Sequence, residues 1–92
     1  MPQLRQSLYC PRQNVEFVGE ILYRRQGQTE TDYDLYLNLD TRSYFVVCSE
    51  STRCGQVLSN SHTRHTVDEF LAAHPGHRRR TADMLRARAE RE

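Results

Sequence analysis

Tyr33-Asp34-Leu35-Tyr36-Leu37-Asn38-Leu39-Asp40, followed after Thr41-Arg42-Ser43 by Tyr44-Phe45-Val46-Val47-Cys48, is the stretch that decides the fold. Successive side chains on a strand point to opposite faces, so Tyr33, Leu35, Leu37 and Leu39 share one face and Asp34, Tyr36, Asn38 and Asp40 the other. Asp40-Thr41-Arg42-Ser43 suits a four-residue hairpin loop around a type I turn. That register sets Leu39 opposite Tyr44, Leu37 opposite Val46 and Leu35 opposite Cys48, three apolar pairs on one face. A slip by one residue would destroy all three.

Outward from the hairpin, an earlier strand runs over about residues 15 to 24. Val15, Phe17, Ile21 and Tyr23 fall on one side, Val18 and Leu22 on the other, and Gly19 marks a bulge. The polar run 25 to 32 reads as a loop. Residues 6 to 10 suit an edge strand that Pro11 ends, and Gln56-Val57-Leu58 adds a short fourth strand before a loop over 59 to 64. Thr66 with Glu69 three residues later is a capping box, and Val67, Phe70, Leu71 and His74 make one helical stripe. Pro75-Gly76 ends that helix at about 74. A second helix follows over about 77 to 91, with Ala82, Leu85 and Ala89 as a weak stripe beside Met84. The expected architecture is α+β: an antiparallel meander of three to four strands within about 6 to 58, then two C-terminal helices, all in one domain of 92 residues.

The composition narrows the function classes. The formal net charge is +1, which gives no general attraction to nucleic acid or to a membrane surface. No run approaches a membrane span and the N-terminus lacks the apolar core of a signal peptide, so a cytoplasmic protein is expected. Three cysteines, an odd number, then stay as free thiols. All thirteen basic residues are arginine. Codon bias is the preferred explanation, and arginine's aptitude for protein or phosphate contacts is the alternative.

Catalytic motifs are missing. There is no glycine-rich phosphate loop, no nucleophile elbow, no paired-carboxylate signature and no motif framing a cysteine, so an enzyme is not expected, nor a resident cofactor. The acids Asp32 and Asp34 lack the glycine and distal glutamate of a calcium loop. The four histidines lie close in sequence, and Cys54, His62, His65 and His77 form a conceivable zinc set. Solvated loop histidines explain the same spacing.

Two surfaces are left for contact. The face opposite the hairpin's apolar pairs carries Tyr36, Phe45 and Val47, to which the first strand adds Val18 and Leu22; it is too apolar for a solvated face and suits a protein partner or a second copy. The alternative cover is the chain's own N-terminal segment. Arg78-Arg79-Arg80 open a helix against its dipole and, with Arg86, suit an anion or nucleic acid. Aromatics on an open sheet stack bases in RNA-recognition domains, but the glycine- and basic-rich motif of those domains is absent. The leading expectation is a small non-catalytic regulatory module working through protein contacts, self-association included. Nucleic-acid or phosphate binding and zinc binding are the alternatives.

Overall fold

The computed structural model describes residues 14–91. Four strands, β1 (Val15–Gln26), β2 (Thr29–Asn38), β3 (Ser43–Cys54) and β4 (Val57–Thr66), form one antiparallel sheet in the order β1-β2-β3-β4. Two helices follow: α1 (Val67–Ala73) and, after a 3-10 turn at Pro75–His77, α2 (Arg78–Glu90). This is the expected α+β meander with two C-terminal helices. The expected edge strand at 6 to 10 lies outside the described residues.

The central hairpin keeps its faces but not its register. Leu37 pairs with Tyr44, Leu35 with Val46 and Tyr33 with Cys48, so the expected pairing is displaced by two residues and the loop is 39 to 42. A two-residue displacement preserves side-chain parity, so the apolar pattern cannot distinguish the two registers. Asn38 decides the matter: its Oδ1 accepts from the backbone N–H of Asp40 and Thr41, its carbonyl accepts from the Arg42 N–H, and Arg42 closes the loop at φ 60°.

Both outer hairpins are tighter than expected. Residues 25 to 32 are not a loop, because Gln26 pairs with Thr29 across Gly27-Gln28. Likewise 59 to 64 is strand, because Cys54 pairs with Val57 across Gly55-Gln56 and β4 then runs in unbroken register to Thr66 opposite Phe45. Each turn has glycine at the first central position with φ near +60°, the conformation a type II′ turn requires there. Hydroxyl and amide pairs zip these polar halves together: Thr29 to Thr52 (3.0 Å), Ser51 to Asn60 (2.6 Å) and Ser49 to His62 Nδ1 (3.0 Å).

Bulges re-aim β1. Its register against β2 shifts between Phe17 and Gly19 and again between Glu20 and Leu22. Each bulge adds one residue and inverts the alternation beyond it. Val18, Ile21 and Leu22 therefore all join the helix-side core, with Leu35, Val46 and Phe70 at its centre. Val15 and Phe17 join Tyr36, Phe45 and Val47 in a second core on the opposite face.

The helices seat on the first core. Thr66 and Glu69 make the capping box, Glu69 N–H donating to Thr66 Oγ1 (3.0 Å) and Thr66 N–H to Glu69 Oε1 (2.9 Å). Phe70 is the buried residue of α1. In α2 the seated stripe is Thr81, Met84, Leu85 and Arg88, one step round from the expected one, and Ala82 and Ala89 are exposed. Thr81 Oγ1 donates to the His77 carbonyl (2.8 Å), which lets a polar side chain sit fully buried. Arg88 reaches Glu16 on β1 with two bonds (2.6 and 3.0 Å), and its guanidinium holds the Glu16 carboxyl below the usual carboxylate range.

Candidate functional site: the outer edges of the sheet

The surface expected from Val18, Leu22, Tyr36, Phe45 and Val47 does not exist as one patch. Phe17 pairs with Tyr36 and Leu22 with Tyr33, so Val18 and Leu22 lie on the helix side, where the bulges add Ile21. Tyr36, Phe45 and Val47 stay on the other face, at 3%, 5% and 4% exposure. There Tyr36 stacks on Phe45 (5.5 Å between centroids), Phe17 meets Tyr36 edge-on (5.6 Å), and the Arg64 guanidinium lies 3.7 Å above the Phe45 ring. The expected cover by the N-terminal segment lies outside the described residues.

The arginine cluster is divided. Arg80, although exposed, reaches across to β1 and donates to two of its carbonyls, Nε to Ile21 (2.9 Å) and Nη2 to Glu20 (3.1 Å). Arg86 pairs with Asp83 one turn earlier on α2. Arg78 and Arg79 are exposed, and Arg79 lines a shallow cleft between β1 and α2 with Glu20, Arg80, Asp83 and Met84. Acids thus share that cleft with the arginines.

The zinc set is not assembled. Cys54 sits at the Gly55-Gln56 turn, and His62 is five residues beyond Cys54's partner Val57 on β4, about 17 Å along the strand. His62 and His65 are three residues apart on one strand and so face opposite sides of the sheet. His65, Cys48, Tyr33, Glu69 and His74 instead line a small cavity under α1. His74 stacks on Phe70 (5.0 Å) and meets Tyr33 edge-on (4.9 Å). Burial lowers its pKa, and Arg24, His77 and His65 add to the effect. Burial also pushes the Cys48 thiol up, although its hydrogen bond with Tyr33 opposes this. A thiol so placed stays protonated at neutral pH and is a poor nucleophile.

Sequence reasoning missed one carboxylate group. Glu20, Asp32 and Asp34 bring their oxygens within 4.8 Å of one another. Glu20 lies on β1 and the aspartates on β2, and only the pairing of Glu20 with Asp34 and of Tyr23 with Asp32 brings them together. Local spacing offers only the Asp32 and Asp34 half of the group; Glu20 joins through the pairing of β1 with β2.

The two sheet edges differ in kind. β1 carries two bulges, and α2 lies against it with Arg80 bonded to its carbonyls. These are the devices by which proteins protect an edge. A helix, α1, packs against β4 near His65, but the strand has no bulge in its pairing. Its ten residues, Val57-Leu-Ser-Asn-Ser-His-Thr-Arg-His-Thr66, contain no lysine, proline, glycine or acid, and its register is unbroken. Residues 57 to 64 are all exposed, Val57 and Leu58 at 64% and 50%. Among the described residues no strand lies beyond it, and no helix is long and apolar enough to cross a membrane.

No protein-family model, curated protein or solved structure matches the chain.

Proposed function

We propose that this protein is a non-catalytic protein-binding module that takes up an extended partner strand along β4. The supporting observation is the contrast between the edges: β1 is bulged and bonded to α2, while β4 has no bulge, is exposed over 57 to 64, and carries Arg64 as its one formal charge with no acid, lysine or proline. Strand addition draws affinity from main-chain hydrogen bonds, which the edge offers from Val57 as far as His65, where the cap of α1 begins. The protonated Cys48 and the division of the arginines weigh against a nucleophilic enzyme and against a compact anion site.

A photo-crosslinking amino acid placed in turn at Ser59, Ser61 and Thr63, and as a control at Asp83 on α2, tests this in a native extract. Adducts with protein at the β4 positions and none at Asp83 are expected. Equal labelling at both, or none on β4, would exclude strand addition as the mode of contact.

A further inference from the structure

We infer that the strand received by β4 is the β4 of a second copy, related by a two-fold axis through Ser61 and making one continuous eight-stranded sheet. This rests on the reading of β4 as a strand-accepting edge and names its partner.

Symmetry restricts the register. Two copies of one edge strand pair antiparallel about an axis perpendicular to the sheet, so directly opposed residues share a face and their numbers sum to an even value. Thr66 is committed to capping α1. The usable strand is therefore 57 to 65, and its midpoint is Ser61. Centring there opposes every residue: Val57 to His65, Leu58 to Arg64, Ser59 to Thr63, Asn60 to His62, and Ser61 to itself.

The resulting pairs use the chemistry this sheet already uses. Hydroxyl meets hydroxyl at Ser61 and at Ser59 with Thr63, as Thr29 meets Thr52 within one chain. Asn60 and His62 each already bond a β3 serine across the ladder, and here they meet each other. Charge is compatible: Arg64 is the one formally charged residue on β4, its guanidinium lies over Phe45, and Leu58 stands opposite it. No like charges are opposed at any position. The two exposed apolar residues, Val57 and Leu58, become covered at each end of the ladder. A partner of another sequence would have to match that neutral hydroxyl and amide pattern, whereas a second copy carries it already.

The test is absolute mass by light scattering after size exclusion, across a range of concentrations, for the native chain and Ser61→Lys. The native chain is expected at twice its 10.8 kDa. Ser61→Lys opposes two like charges on the axis and is expected at single mass with its circular dichroism retained. A second variant, Ser61→Cys, places the two introduced thiols across the axis with Cβ atoms about 4.5–5.5 Å apart, near disulfide reach. Mild oxidation should join the two copies through those thiols, and peptide mass should identify the disulfide between the two peptides that carry position 61. A native chain at single mass throughout, or a dimer that survives Ser61→Lys while Ser61→Cys forms no such disulfide, overturns the proposal. If the native chain is monomeric while β4 still crosslinks to a heavier protein, the second copy is wrong and strand addition stands. If β4 captures nothing either, both fall together.

Discussion

At the scale of the residue, His74 couples the helices to the pH. Its ring is clamped between Phe70 of α1 and Tyr33 of β2, with Arg24 on β1, His65 on β4 and His77 in the 3-10 turn as its charged or titratable neighbours and Glu69 lining the same cavity. Its pKa is lowered from 6.5 in the folded chain. Below 6.5 the unfolded chain binds a proton that the folded chain resists, so folding stability must fall as the pH drops through the unfolded pKa. The stability is fully present above it. Melting temperatures measured from about pH 7.5 down to about 5.5 should therefore decline. His74→Phe keeps the stacking and removes the proton, and its decline should be shallower; an identical slope in both proteins would exclude His74 as the source.

At the scale of the element, turns and bulges carry what the side-chain pattern does not. Gly27 and Gly55 each hold a positive φ with nothing near the position of a Cβ. Alanine there meets no neighbour but strains the backbone, and each Gly→Ala change should cost about 1 kcal/mol in chemical denaturation. Gly19 is the reverse case. Its φ is ordinary, and a Cβ would lie 2.7 Å from the flexible end of Met84. Met84 can swing aside, so Gly19→Ala should change stability by less than about 1 kcal/mol. If Gly19→Ala proved the costliest of the three, α2 would be packed on β1 more rigidly than this. The same distinction explains what is legible in the sequence. The Tyr33–Leu37 alternation, the Thr66–Glu69 box and the Pro75-Gly76 break are local signals, and each element they announce is present. Gly19 marks one of the two β1 bulges, and alternation rightly sets Val18 and Leu22 opposite Val15 and Phe17; which of these faces meets Tyr36, and the crossing of Ile21 to join Val18 and Leu22, depend on the register with β2. β4 is polar on both sides and shows no period of two, and its pairing with β3 rests on hydroxyl and amide contacts. The edge that carries the proposed contact is thus hidden for the same reason that it is suited to it.

At the scale of the whole molecule, the middle of the sheet is buried on both faces. One core joins Ile21, Leu35 and Val46 to Phe70; the other joins Val15, Tyr36, Phe45 and Val47. Adjacent residues of β2 and β3 alternate between them, Leu35 with Tyr36 and Val46 with Val47, so neither core can open without disturbing strands that hold the other. Phe70, at 2% exposure, is the buried link between α1 and the sheet and lies 5.3 Å from the Tyr33 ring. Phe70→Ala should cost about 3–5 kcal/mol. A domain of this size has a total at the lower end of the usual range of about 5–15 kcal/mol, so the variant should be near its unfolding midpoint at little or no denaturant. In urea the native chain should give coincident transitions by far-ultraviolet circular dichroism and by tyrosine fluorescence, because tyrosines sit in both cores. Phe70→Ala should move both transitions together. If the helical signal shifted while the tyrosine signal of the sheet stayed in place, α1 and α2 would be a separate folding unit laid on an independently stable meander, and the cooperativity inferred from the shared strands would be wrong.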